Sequence, residues 1–408
     1  MKMKRSALAA VLSVAALAVA VCHASPARAS GSVQVHGLTF PTGTNGCTGP
    51  LVPIYGEDAL KAYILAEAAS FCAAYGSGAP DVEYADGGTA CTGVDWAADF
   101  NDNNEIGLSD VFVPSCTGSF GRDPSRVADT ELAVNVVEAI AQCGAANEPQ
   151  GGGPHPPAGP NPCSGSGGAN GFAAPNDESV NTAQLLWNGT IGDYVQVGGV
   201  TGVPPTIQQR VPGSGTRITW CYNINGSGND LSCVNTSPPG PALTTGAMLN
   251  DVCGNPYAAG GPTSPVDPAG TIGYASHAAV TRDPRQPAGG QLALAGCGLV
   301  GLGGYDGYNR DCDPTDPTTS SYTGMNPESN VLTCQGDLQV ALGHYPAWGY
   351  EHLDVNASGT TTAANQFINY LFEDPDDVQE YGFMQPCQLL NTRSADGGPY
   401  TASPGAAC

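Results

Sequence analysis

Fifteen cysteines are spread over the 408 residues, and none forms a Cys-x-x-Cys pair. One, Cys22, lies in an N-terminal leader; the other 14 run from Cys47 to Cys408. An even number of dispersed cysteines in an exported chain reads as a framework of multiple disulfides, up to about seven, with the pairing left open. The leader supports export. Met1 to Arg5 is basic, Ala7 to Val21 is a small-apolar run broken by Ser13, and Ala27-Arg28-Ala29 supplies the small-residue cleavage pattern. We therefore expect a signal peptide over 1–29 and a periplasmic or secreted product. Val21 is too large for the residue before a lipidated cysteine, so cleavage after Ala29 is the better reading of Cys22. The apolar run is too short to span a bilayer, and no later segment approaches 18 apolar residues, so no direct membrane insertion is expected. Six scattered histidines add no metal-ligand spacing, so neither a metal nor another cofactor is expected.

Charge narrows the partners. Without Lys2, Lys4, Arg5 and Arg28, 9 basic residues face 37 acidic ones, a net of −28. Lys61 is the only lysine left. So negative a surface excludes nucleic acid and anionic membranes, which need basic patches. An anionic ligand must then be held by local dipoles and one or two arginines.

Strand and helix patterns alternate along the chain, which indicates α/β architecture. Val33 to Gly37 alternates like a first strand. Leu60, Tyr63, Ile64, Ala68 and Phe71 place one apolar face on a helix expected over Glu57 to Cys72. Val82 to Tyr84 and Ile106 to Phe112 read as strands, the second carrying Ser109-Asp110 towards its end. Glu131 to Val137 and Thr182 to Trp187 are further regular stretches. Between them, Pro149 to Asn170 is dominated by Gly and Pro and reads as an insertion, placed at about 146–176. Ala364, Phe367, Ile368 and Leu371 mark a late amphipathic helix that Pro375 must end.

Arg210-Val211-Pro212-Gly213-Ser214-Gly215-Thr216 concentrates groups suited to a tetrahedral oxyanion. Two glycines let successive backbone N–H groups point one way. Ser214 and Thr216 add hydroxyls and can cap a following helix, for which Arg217 to Tyr222 is the candidate. That helix N-terminus adds partial positive charge, and Arg210 adds a permanent, forked donor. The same segment also fits a glycine turn before a capped helix, with Arg210 in a surface ion pair.

In this segment the chain resembles the periplasmic phosphate-binding proteins of Pst-type ABC transporters. Their loop has the form Arg-x-x-Gly-Ser-Gly-Thr, met here by Arg210, Gly213, Ser214, Gly215 and Thr216. Gly37-Leu38-Thr39-Phe40-Pro41 is similar to their first-strand turn, whose Thr and Phe contact phosphate. Tyr84 to Val94 resembles their second glycine-rich turn, with Thr89 nearest to a ligand serine. Ile106 to Asp110 is similar to the strand whose aspartate meets the phosphate proton. Leu186 to Ile191, Ile272-Gly273-Tyr274 and Tyr345-Pro346 resemble other landmarks in the same order.

The resemblance implies a two-lobed type II periplasmic-binding-protein fold with the ligand in the cleft between lobes. It places lobe 1 at 30–130 and 345–408 and lobe 2 at 131–344, with hinge strands near Thr130–Val136 and His344–Tyr350. It implies a monomer that captures inorganic phosphate through Thr39, Phe40, Thr89, Asp110, Arg210, Ser214, Gly215 and Thr216, for uptake through an ABC-transporter permease. An ionised Asp110 accepts only, so it rewards protonated phosphate over unprotonated sulfate. Two departures bear on that selectivity. Pro212 stands where the family loop often has a second acceptor aspartate, and the Gly87–Gly93 turn is about one residue longer than the family pattern, so Thr89, Cys91 and Thr92 compete for one role.

Two other functions fit parts of the sequence. A secreted structural or adhesive protein suits the cysteines, the insertion and the acidity, and the Asp306–Asp316 stretch reads as a solvated acidic loop. An extracellular phosphate-ester hydrolase would need a base such as His277 or His344 within reach of Ser214; neither a Gly-x-Ser-x-Gly elbow nor a lysine-bearing P-loop is present. No enzyme activity is expected.

Overall fold

The computed structural model describes residues 31–57, 59–86, 103–110, 126–144, 171–172, 177–197, 204–211, 214–225, 242–253, 271–280, 297–302, 340, 343, 345–373, 378, 381–394 and 401–402. The leader, Thr89 with its turn, Pro212, Gly213, His344, the 306–316 stretch and most of the Gly/Pro-rich insertion lie outside the described residues.

The fold is mixed α/β around a central sheet. Strands β1 (Ser32–Val35) and β2 (Leu38–Pro41) form an antiparallel hairpin. It turns through His36 and Gly37, both at positive φ, as a two-residue turn between right-twisted strands requires. Next come β3 (Leu51–Gly56), helix α1 (Lys61–Tyr75), β4 (Asp81–Asp86) and β5 (Ile106–Ser109). Strand β3 lies between β4 and β5 and runs parallel to both. Helix α1 buries Tyr63, Ile64, Ala68 and Phe71 along one face, as the spacing predicts, and ends at Gly76, whose φ of 85° suits glycine. It begins four residues later than the sequence pattern suggests. The Glu57 N–H is committed to Leu108 O at 3.1 Å, so the chain is still bound to β5 at that point.

Strand β6 (Val127–Gly144) is 18 residues long, far beyond the apolar run that announced it. Helix α2 (Val180–Trp187) is capped by Ser179, whose hydroxyl accepts from Thr182 N at 3.0 Å. Then follow β7 (Thr206–Ile207), β8 (Gln209–Arg210), α3 (Gly215–Asn225), β9 (Ala242–Leu243), α4 (Thr245–Cys253), β10 (Thr271–Ser276) and the short helix α5 (His277–Val280). Strands β11 (Cys297–Leu302) and β12 (Trp348–Asn356) and helix α6 (Thr362–Glu373) complete the elements used below. No described helix is long and apolar enough to cross a membrane.

The sheet order is β4-β3-β5-β12-β6-β10-β7, with β11 also on β6. Its middle is the antiparallel pair β6–β12, in register from Trp348↔Val136 to Asn356↔Val127, with a register shift between Glu351 and His352. Two apolar cores flank this pair. One gathers Ile54, Phe71, Leu108, Ala133, Leu353 and Phe367; the other gathers Val134, Trp187, Trp220, Tyr274, Trp348 and Tyr350. The division falls between Ala133 and Val134 on β6 and between Tyr350 and Leu353 on β12. Each large buried side chain contributes about 1.5–3 kcal/mol, so each core is a substantial unit in its own right.

Polar side chains stitch the middle pair. Asn135 Nδ2 donates to Glu351 Oε1 at 2.6 Å, and Ser276 Oγ donates to Asn135 Oδ1 at 2.6 Å. His352 Nδ1 lies 2.6 Å from Asp129 Oδ1. Burial holds Glu131 above the usual carboxylate range, against the nearby His352, which pulls it down. Among the described residues, the Cys47–Cys72 disulfide fixes the start of β3 to the end of α1, with Cα atoms 5.5 Å apart.

Candidate functional site

Asp110 follows β5 directly and is 2 % exposed. A Cβ on Gly215 would lie 1.3 Å from Asp110 Oδ1, so the carboxylate rests against the bare Cα of Gly215. Only glycine permits this approach, which sets Asp110 on the first turn of α3. There the carboxylate meets the positive end of the helix dipole. Thr219 Oγ1 donates to Asp110 O at 3.3 Å and ties the same helix to the end of β5. Gly349 on β12 makes room for the junction, since a Cβ there would meet Thr219 Oγ1 at 3.0 Å.

Helix α3 is positioned by its apolar side. Trp220 stacks on Tyr274 of β10 at 5.1 Å between centroids, and Trp187 of α2 packs on Trp220 at 4.9 Å. Such pairs add about 0.5–1.5 kcal/mol each beyond area burial. Tyr274 also reaches the site, because Arg210 N donates to its hydroxyl at 3.4 Å. Arg217, one residue beyond Thr216, donates from Nη1 to Arg210 O at 2.6 Å. Ser214 N donates to Val211 O at 3.2 Å, and Ile218 N donates to Ser214 O at 2.9 Å. The backbone from Arg210 to α3 is thus held at both ends.

Two side chains in this frame stand out. Arg210 is 5 % exposed, and its Nε and Nη1 have no hydrogen-bond partner among the described residues. Ser214 is fully buried, and its Oγ has none either. Ser214 sits where an N-cap residue would, yet its hydroxyl does not cap the helix. A buried arginine N–H or hydroxyl without a partner costs about 1–3 kcal/mol, so these donors are unusual for a purely structural turn. Thr216, 2 % exposed, lies beside them in the first turn. The surface ion pair that the sequence alone allowed for Arg210 is not what the chain forms. Of the two bases the hydrolase reading could use, His344 lies outside the described residues. His277 faces Glu138, with Nδ1 3.4 Å from Oε1, and is no partner of Ser214.

No protein-family model matches the chain, and no curated protein matches it. Solved structures do align with it. An ABC-type phosphate transport receptor from Vibrio cholerae shares 14% identity over 82% of this chain and 100% of its own, with a TM-score of 0.49. A phosphate-binding protein from Stenotrophomonas maltophilia shares 14% over 83% and 91%, with a TM-score of 0.44. A Corynebacterium glutamicum OxyR mutant shares 11% over 92% and 72%, with a TM-score of 0.38. At such identities and TM-scores the likenesses carry no conclusion about ligand or partner.

Of the residues singled out from sequence, the structure brings Asp110, Ser214, Gly215 and Thr216 together, with Arg210 entering the same loop. It does not bring Thr39 and Phe40 to them. The His36 turn of the hairpin lies at Glu105, with His36 Nε2 2.8 Å from Glu105 Oε1. Glu105 precedes β5 and Asp110 follows it, about 16 Å apart at ~3.3 Å per residue. Thr39 is exposed, its hydroxyl engaged by Gln34, and Phe40 is fully buried. At the Asp110 end β5 lies between β3 and β12, and the residue that β3 delivers there is Glu57, which sequence reading had assigned to a helix. Glu57 is 4 % exposed, with Tyr84 Oη donating to its carbonyl at 3.2 Å. Thr89 lies outside the described residues.

Proposed function

We propose that this chain is an exported solute-binding protein that captures inorganic phosphate, or a related tetrahedral oxyanion, between two hinged lobes. The observation that carries the reading is the pair of buried, unpartnered donors, Arg210 and Ser214, at the N-terminus of an 11-residue helix. A charge-assisted bond from Arg210, the Ser214 and Thr216 hydroxyls and the first-turn amides would together satisfy an oxyanion. Asp110, acceptor-only when ionised, would take the proton that phosphate carries and sulfate lacks.

In this reading the two cores are the lobes, at 30–130 with 345–408 and at 131–344, and β6 and β12 are the crossing strands. Opening between them would admit the anion, and closure would bring Asp110 and α3 onto it. The lobe arrangement, the further disulfides, the monomeric state and delivery to an ABC-transporter permease belong to the same proposal. Calorimetric titration of ligand-stripped protein with phosphate, arsenate and sulfate tests it. Saturable heat with phosphate, lost in Arg210→Ala, is expected. Absence of heat with every oxyanion would instead favour the secreted structural or adhesive reading.

A further inference from the structure

Beyond α6 the chain returns to the middle of the sheet. Val378 and Phe383 pack in the core of β3 and β5, whereas Met384 and Leu389 pack in the core of α3 and β10. The change of core falls between two adjacent residues. Met384 N donates to Val134 O at 3.0 Å, and Val134 N donates back to Met384 O at 2.8 Å. Val134 is also where β6 enters the second core, so residues 383–384 make a third crossing beside β6 and β12. At that crossing Tyr381 and Phe383 line a cavity of about 200 Å³, whose other walls include Glu57 and Thr216 of α3.

The tail is then anchored on the second core. Asn391 Nδ2 donates to Val340 O at 3.4 Å, and residues 391–392 pair antiparallel with residues 401–402. Arg393, 4 % exposed, completes the anchor. Its guanidinium lies 3.8 Å over the Trp348 ring, its Nη2 donates to Pro346 O at 3.3 Å, and its Nη1 donates to Asn223 Oδ1. Asn223 is in the last turn of α3, where a cation also meets the negative end of the helix dipole. Asn223 Nδ2 donates in turn to Thr219 O at 2.6 Å and to Trp348 O at 3.0 Å. Thr219 is the residue whose hydroxyl reaches Asp110 O. A run of bonded residues thus leads from the tail, along α3, to the anion cluster.

We propose that residues 383–393 are a strap between the two cores and that Arg393 is a positioning residue for the anion site, acting through Asn223 to hold α3 on β12 and Asp110. This rests on the anion reading above, and it carries the chain from Met384 onwards into the second lobe of that reading. The strap joins the first core at Phe383 and α3 at Arg393. Movement between the cores is therefore felt by the helix whose first turn would hold the anion.

Hydrogen exchange of ligand-free protein and phosphate titration of ligand-stripped protein test this in wild type, Arg393→Met and Arg393→Lys. In Arg393→Met, exchange should quicken by about tenfold along α3, as far back as the Ile218 amide, with β3 and α1 unchanged. Phosphate affinity should fall by about tenfold, and Arg393→Lys, which keeps a cation over Trp348, should recover part of both losses. An Arg393→Met protein that melts earlier yet keeps α3 protected and binds phosphate as wild type does would overturn the proposal, leaving Arg393 a stabilising residue only. Should Arg393→Met fail to fold, Asn223→Ala, which cuts the link but leaves the stack on Trp348, must show the same two changes, and without them the proposal falls. Absence of phosphate binding in wild type would bring down the anion reading and the positioning role with it, whatever the exchange shows.

Discussion

The two sides of the candidate site are built from opposite chemistry. The wall at the ends of β3 and β5 presents carboxylates, Glu57 and Asp110, each nine-tenths or more buried. The wall at β8 and α3 presents donors, Arg210, Ser214 and Thr216, equally buried. In a chain with a formal net charge of −24, the second wall is the exception and the first is typical. The difference teaches where anion affinity must originate. In the proposed reading it would come from one arginine and one helix start, each fixed by packing, while the acidic side would discriminate among the anions that arrive.

The sharpest way to break this contrast is Arg210→Ala. Losing a desolvated charged partner should weaken phosphate binding by about 2–5 kcal/mol, read by titration calorimetry. Replacing both Cys47 and Cys72 by Ala acts on the acidic side alone. It should cost about 2–4 kcal/mol of stability in denaturant unfolding, since the bridge closes a 25-residue separation, and should leave phosphate affinity within about twofold. Asp110→Asn tests discrimination itself. The phosphate-to-sulfate preference should fall by about tenfold, mainly because sulfate gains.

A smaller effect concerns the edge of the acidic side. Asp81 and Glu83 on β4 grip the preceding loop: Gly43 N donates to Asp81 Oδ2 at 2.9 Å and Thr44 N to Glu83 Oε1 at 2.8 Å. Burial, the main cause, together with Glu83 pushes the Asp81 carboxyl from 3.8 up to about 6, despite the Gly43 bond. The folded state therefore holds a proton that the unfolded chain has released between about pH 4 and 6. Stability should rise as pH falls through that window, by at most about 1.4 kcal/mol per pH unit. Asp81→Asn should remove this rise and stabilise the protein at pH 7, as urea unfolding across pH would show.

What the sequence made legible was local. The 3.6-residue spacing of Tyr63, Ile64, Ala68 and Phe71 set the buried face of α1, and the glycines and hydroxyls of 213–216 announced a helix start. Asp110 was visible because strand and turn signals met there. What remained hidden depended on long-range pairing. Strand β6 outran its apolar stretch because its outer residues are held by pairing, with β12 at 127–130 and with β10 and β11 at 138–142. Thr39 and Phe40 had the right local pattern but belong to a hairpin that pairs with itself. Nothing in residues 37–41 could say that β3 would dock beside β5 instead, nor that Glu57 would leave the helix pattern and face the cleft.

The central claim is that Arg210 and Ser214 are buried donors held ready for an oxyanion. Titrating ligand-stripped wild type and Arg210→Ala side by side with phosphate tests it most directly. The account predicts saturable binding by the wild type and a loss of well over about tenfold in the variant. Equal affinity in the two proteins, or no binding by either, would contradict it.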